Sequence, residues 1–236
     1  MVTAPWSVRV VVPARDEAEL LPACLDSVQR AVAHLAATRP DVEASVTVVL
    51  DRSADDSALV VARASGVTGL AVDHGLVGAA RAAGVDLATR LDEDPARVWL
   101  AHTDADCVVP PAWLTGQLDL ADQGFAAVVG TVEPHGPNLS DALLTAWRAR
   151  HVRRDGHGHV HGANLGLTLA AYRACGGFPA VATHEDVLLV GRLRGAGVRW
   201  IASGAPPVAT SSRRVGRAPA GFASYLSRLE PVEPTA

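Results

Sequence analysis

An alternation in this chain limits its fold more than any other feature: short runs of β-branched and apolar residues are separated by longer stretches of helical periodicity. Val8 to Val12, Val46 to Leu50, Leu70 to Val72, Val98 to Ala101 and Ala126 to Val132 read as strands. Their near-continuous apolarity suits a sheet covered on both faces. Between the first two, Leu21, Leu25, Val28, Val32 and Leu35 recur at spacings of three and four, which marks one apolar helix face. Pro22 is tolerated there only in the first helical turn. A second helix is expected after Ser53, a third from about Gly78 to Leu91, and a fourth from near Pro111. Strand, helix, strand order predicts right-handed crossovers and a mostly parallel central sheet with helices on both faces, a three-layer α/β/α architecture. After Glu133 the pattern loosens into a polar segment rich in glycine and histidine. It resumes with a strand at Leu165 to Leu169, a helix from about Glu185 to Arg194, and a strand at Val198 to Ile201. In that last helix Val187, Leu188, Leu189 and Leu193 are expected to turn inward.

With 236 residues, 49% of them hydrophobic, the chain can bury a sizeable core without help. No internal repeat or long linker demands a second domain. A net charge of -4 argues against a basic field for nucleic acid or an anionic membrane. All 21 basic residues are arginine. Lysine-free composition excludes a P-loop lysine, a Schiff-base lysine and a lysine general base. Cys24, Cys107 and Cys175 are odd in number and far apart, which fits neither a disulfide framework nor a zinc site, so a reducing cytoplasm is expected. No apolar stretch approaches the ~20 residues of a membrane helix, and the N-terminus does not read as a signal peptide.

Five segments carry chemistry. His102-Thr103-Asp104-Ala105-Asp106-Cys107 lies where a buried strand ends, the place at which open α/β sheets bind ligands. Two carboxylates one residue apart can hold a hard divalent cation and leave positions for diphosphate oxygens, although such a pair can also simply solvate a turn. The exit of the first strand, Pro13 to Glu17, is expected to run straight into a helix, whose first amides together with Arg15 could face a nucleotide. Asp51 ends the second strand, before Ser53, Asp55 and Asp56; its carboxylate could accept from a base or ribose, or serve as a helix cap. Arg81, near the start of the third helix, could meet a diphosphate or be solvated. His184-Glu185-Asp186 opens the late helix, where acids also suit the helix dipole.

Taken in order, PARDEAELLPACLDSV, LDRSADDS, GAARAAG, TDADC, GANLGLTLAAYRACGGF and HEDVLLVGRLRGAG resemble the family 2 glycosyltransferases of the GT-A fold. The resemblance runs from about Val8 to Ser212, and it implies one domain: a nucleotide-binding half over about 1–132, an acceptor-binding and catalytic half over about 133–212, and a C-terminal tail over 213–236. By this resemblance Pro13, Arg15 and Asp51 line the nucleoside and Arg81 approaches the diphosphate. Asp104 and Asp106 form the metal-binding DXD motif, with Asp106 the first choice for direct coordination of Mn2+ or Mg2+. Asn164 lies in a Gly-x-Asn step that shapes the sugar or acceptor pocket, and Gly176-Gly177-Phe178 resembles the turn before the base. Glu185 and Asp186 form the ED motif. Asp186 is the implied general base for the acceptor hydroxyl in an inverting, hexosyltransferase-type displacement; an unperturbed aspartate, with a pKa of ~3.9, is ionised at neutral pH as that role requires. The implied partners are a nucleotide-diphospho-sugar donor and a small-molecule or glycan acceptor that the sequence does not name, with a homodimer allowed. Leu50 and Arg52 depart from the family's usual acidic residue and glycine beside Asp51, and Ala82 stands where many members have asparagine.

His157, His159 and His161 would point to one side of an extended segment, an arrangement able to bind a metal. Set among Gly156, Gly158 and Gly162, they are expected to form a mobile loop over the acceptor site. Arg150, Arg153 and Arg154, and later Arg213, Arg214 and Arg217, form two basic groups. The later one either closes over a diphosphate, greets an acidic acceptor or is solvated. Three other functions stay open at this point: a sugar-phosphate nucleotidyltransferase, a metal-dependent hydrolase built on the histidines, and a non-catalytic sugar-nucleotide-binding protein.

Overall fold

A computed structural model describes residues 5–137, 139–216 and 221–229. The first half is strand and helix in turn: β1 (Ser7–Ala14), α1 (Leu21–Thr38), β2 (Glu43–Asp51), α2 (Ser57–Arg63), β3 (Val67–Val72), α3 (Val77–Ala88), β4 (Val98–His102), β5 (Cys107–Val108) and α4 (Trp113–Asp122). The second half follows with β6 (Ala127–Val129), β7 (Val132–His135), α5 (Asp141–Arg150), a 3-10 turn at Gly162–Asn164, β8 (Leu165–Thr168), α6 (Leu169–Ala174), α7 (Glu185–Gly195), β9 (Trp200–Ala202), β10 (Val208–Ser211) and α8 (Phe222–Leu229). Pro22 falls in the first turn of α1, where its missing N–H costs nothing.

Seven strands form one sheet in the order β3-β2-β1-β4-β8-β6-β9. β1 pairs in parallel with β2 and β4, β2 with β3, and β6 with β9, whereas β8 runs antiparallel to both its neighbours. Side-chain alternation explains the three layers. Val8, Val10, Val12, Val46, Val48 and Trp99 enter one buried cluster with the apolar faces of α1 and α4. Val11, Val49, Val98 and Leu100 enter another with α3, α6 and α7.

Ala126 to Val132 is not one strand. β6 belongs to the large sheet, and β7 to a three-stranded sheet ordered β5-β10-β7. The break lies at Gly130 and Thr131. The Gly130 N–H donates to the Asn164 carbonyl (2.8 Å) and the Asn164 side-chain amide donates to the Thr131 carbonyl (2.9 Å), so the chain leaves the ladder there. A Cβ on Gly130 would stand 2.2 Å from the Asn164 amide nitrogen, which only glycine permits. The inward face of α7 also differs from the expectation. Leu189 and Leu193 are buried with Val190, but Val187 and Leu188 remain 46% and 45% exposed, because three buried residues already complete the stripe against the sheet. α3 stops at Ala88, and Leu91, expected near its end, is 97% exposed.

Candidate active site

A cleft of about 760 Å3 opens at the carboxyl ends of β1, β2 and β4, lined among others by Pro13, Arg15, Asp51, Arg81, Asp104, Asp106, Glu185 and Asp186. This is where doubly wound sheets place ligands. The exit of β1 does not enter a helix directly: α1 begins only at Leu21, and Asp16 takes a positive φ of 50° in the intervening turn. That turn is tied to the end of β2. The Asp16 N–H donates to Ser53 Oγ (3.2 Å), the Ala54 N–H to Asp16 Oδ1 (2.8 Å) and the Ala18 N–H to Asp55 Oδ2 (2.8 Å). Arg15 stays exposed at the cleft, beyond this knot. Asp51 is buried, and its carboxylate accepts the backbone N–H groups of His74, Gly75 and Leu76 at 2.8, 2.9 and 3.1 Å. Its first role is therefore to shape the loop into α3.

Asp104 and Asp106 sit in the turn after β4, closed by the Cys107 N–H donating to the Asp104 carbonyl (3.1 Å). Arginines reach both. Arg81, from α3 and expected to approach a diphosphate, lines the cleft but is only 1% exposed, its guanidinium engaged by carboxylates. Its guanidinium donates to Asp104 Oδ1 (2.5 Å), lies 3.6 Å from Glu185 Oε1 and covers the Phe178 ring at 5.6 Å. Burial of so rigid a charge is tolerated because two carboxylates and a ring face receive it. Arg213 comes from the far end of the chain. One of its nitrogens forms an ion pair with Asp106 Oδ2 (2.9 Å) and another donates to both Glu17 oxygens (2.8 and 2.9 Å). Burial raises the Asp106 pKa, with Arg213 opposing that shift and Asp104 adding to it. Arg217 lies outside the described residues.

Among the described residues, the one group of three metal-competent side chains with ligand atoms within 4.8 Å of one another is Asp104, Asp106 and Cys107. Burial drives the Cys107 thiol pKa well up, so it stays a neutral and poor ligand. The two carboxylates fit a hard cation such as Mn2+ or Mg2+. The histidines do not form such a group. His157 and His159 lie 5.9 Å apart between ring centroids and His159 and His161 6.3 Å, in a stack that continues through His151 onto Trp147. His157 Nε2 is 3.3 Å from the Ser203 carbonyl, an anchor rather than a loose loop.

α7 presents the two acids of its first turn differently. Glu185 points inward at Arg81, and burial raises its pKa while Arg81 holds it back. Asp186 faces the cleft, its Oδ2 accepting the Gly162 N–H (2.7 Å) and its Oδ1 the Val187 N–H (2.8 Å). His184, just before them, adopts a left-handed φ of 63°, which sets the angle at which the helix enters. Gly162 sits close because a Cβ there would come 2.7 Å from Arg81. Asn164 is not in the cleft wall. It is buried, with Oδ1 accepting from the Trp113 indole (2.9 Å) and Nδ2 spent on Thr131, so its amide braces the 3-10 turn from behind. The turn at Gly176 and Gly177, both at positive φ, delivers Phe178 against Arg81 and His102. Sequence reasoning missed the pairing of Glu17 with Arg213 and the aromatic cluster of Trp147, Phe222 and Tyr225, and it left Arg213 in a generic basic group. No local pattern marks them, since each joins the site through the fold.

The pattern that defines "Glycosyl transferase family 2" matches residues 9–173. The chain belongs to glycosyltransferase family 2. The match includes the carboxylate pair and stops short of Glu185 and Asp186. A comparison with curated protein sequences finds no match. Among solved structures, S. aureus TarS 1-349 in complex with UDP-GlcNAc aligns over 94% of this family 2 chain with a TM-score of 0.65 and 13% identity. The mannosyltransferase PcManGT from Pyrobaculum calidifontis, in complex with GDP-Man and Mn2+, aligns over 92% with a TM-score of 0.61 and 20% identity. These likenesses establish the GT-A fold. This chain spans 65% of the TarS 1-349 chain and 59% of the PcManGT chain. No helix among the described residues is long and apolar enough to cross a membrane.

Proposed function

We propose that this family 2 protein transfers a sugar from a nucleotide-diphospho-sugar to a hydroxyl acceptor in one inverting displacement. The observation that carries this reading is that one cleft holds both the Asp104 and Asp106 pair and the cleft-facing carboxylate of Asp186. The sugar-nucleotide and Mn2+ contents of the TarS and PcManGT structures add support. Asp104 and Asp106 would hold a divalent cation, Mn2+ or Mg2+, which offsets the charge that gathers on a departing nucleoside diphosphate. Arg15 and Arg213 add positive charge at the same end, and the buried Arg81 keeps Asp104 and Glu185 in register. The Gly162 N–H orients Asp186, which takes the proton of the acceptor hydroxyl. The acceptor oxygen then bonds to the anomeric carbon as the bond from that carbon to the phosphate oxygen breaks.

Two measurements test the reading. Calorimetry with UDP and GDP should show tighter binding of one of them in Mn2+ or Mg2+, and Asp106→Ala should remove the metal's effect. Metal dependence that survives in the variant counts against the carboxylate pair. Asp186→Asn should leave nucleoside diphosphate binding unchanged and cut turnover by ~10²-fold or more, the usual share of a general base. Full transfer by this variant would assign the base elsewhere.

A further inference from the structure

Beyond Asp186 the cleft changes character. Its wall there is built from His151 just after α5, Val160 and His161 before the 3-10 turn, and Phe222 and Tyr225 on α8, all resting on the buried Trp147 of α5. The Trp147 and His151 rings stack at 3.5 Å, nearly parallel. Phe222 and Tyr225 stand edge-on to Trp147 at 5.1 and 5.8 Å, and Tyr225 meets His151 edge-on at 5.5 Å. The edge-on separations fall in the range that aromatic pairs prefer, so Phe222 and Tyr225 pack as one cluster with Trp147 and His151. This ring cluster contains no arginine, aspartate or glutamate, whereas the charged lining residues Glu17, Asp104, Asp106 and Arg213 gather in a group of their own. Burial and the neighbouring histidines hold His161 neutral, with its pKa down at about 3. The Nδ1 atom of His151 is already within hydrogen-bonding distance of the Trp147 carbonyl (3.0 Å). A polyol or a phosphate needs several aimed polar groups to replace its water, and the wall offers few.

We infer that this end is the acceptor subsite, and that it takes an uncharged hydroxyl compound with a planar apolar face, such as an aryl alcohol or aryl glycoside. The inference rests on the transferase reading, because Asp186 stands at the junction of the two ends. The acceptor would stack on the rings and present its hydroxyl to Asp186. Its oxygen would gain the sugar, Asp186 its proton, and the nucleoside diphosphate would leave at the charged end.

The test begins without any donor. Titrating 2-naphthyl β-glucoside, methyl β-glucoside and glucose 6-phosphate into the full chain, by calorimetry in the presence of Mn2+ and the nucleoside diphosphate that binds, should rank the naphthyl compound at least tenfold tighter than the other two. Tyr225→Ala and Phe222→Asp should each weaken it fivefold or more while nucleoside diphosphate affinity stays as in the wild type, which also reports that the cleft is folded. Equal or tighter binding of glucose 6-phosphate overturns the inference, as does naphthyl binding that ignores both substitutions in folded protein. If no nucleoside diphosphate binds at all, the transferase reading fails separately, and the naphthyl titration alone still decides whether the wall recognises flat apolar ligands.

Discussion

Arg81 carries a structural duty that its position in the sequence does not announce. A guanidinium at the start of a helix near a nucleotide cleft reads as an anion ligand, yet here it is enclosed between Asp104 and Glu185. Its planar fork reaches two carboxylates at once, which a lysine ammonium cannot do with the same geometry. Removing it leaves the buried Glu185 without its counter-charge. Arg81→Met should therefore lower unfolding stability by about 3–5 kcal/mol, the range for breaking a buried pair from one side. Adding Glu185→Gln should return part of that loss. Chemical denaturation of the single and double variants checks both, and a double variant no more stable than Arg81→Met would show that the pair is not coupled. Asp104, Asp106 and Asp186 were legible in the sequence because each lies in a short motif at a strand or helix end. Arg213 was not, since its two carboxylate partners are distant in the chain and converge only when β10 joins β5.

Among the elements, α3 and α7 decide how closely the two halves of the cleft approach. Gly78, in the first turn of α3, makes this contact possible: a Cβ there would stand 2.2 Å from the Pro179 carbonyl oxygen and 2.9 Å from Glu185 Cβ. Backbone cannot yield as a side-chain tip does, so Gly78→Ala should cost about 1–3 kcal/mol, the usual cost of overpacking. Gly191 on α7 is the control. It has no neighbour within 4 Å of a built Cβ, and Gly191→Ala should raise stability by up to about 1 kcal/mol through helix propensity alone. Thermal unfolding of the two variants should move in opposite directions. The same elements show where periodicity misleads. A run such as Val187-Leu188-Leu189-Val190 cannot all face one way on a helix, and the sheet decides that Leu189 and Val190 are inside.

For the molecule as a whole, buried titratable groups set the response to pH. Burial lowers the pKa of His102 well below its ordinary value and that of His161 to about 3, and it also lowers His151 and His159. A base whose folded pKa is depressed binds its proton more readily in the unfolded chain, so its stabilising share is present above about 6.5 and is lost as pH falls toward the folded value. The raised pKa values of Asp106 and Glu185, which burial causes, act in the other sense. Stability should thus decline between about pH 6.5 and 5, by at most ~1.4 kcal/mol per pH unit for each fully coupled histidine. Urea midpoints measured across that range check this, and a flat profile would mean that these imidazoles take up protons in place. The alternation of apolar runs and amphipathic stretches was enough to specify a layered α/β sheet and the strand ends at which ligands bind, because period-two and helical burial are local properties of the chain. Long-range contacts settled the rest. The split of 127–135 between two sheets, the enclosure of Arg81, the bracing role of Asn164, the reach of Arg213 and the ring wall closed by α8 each depend on which distant surfaces meet, and no local periodicity encodes that meeting.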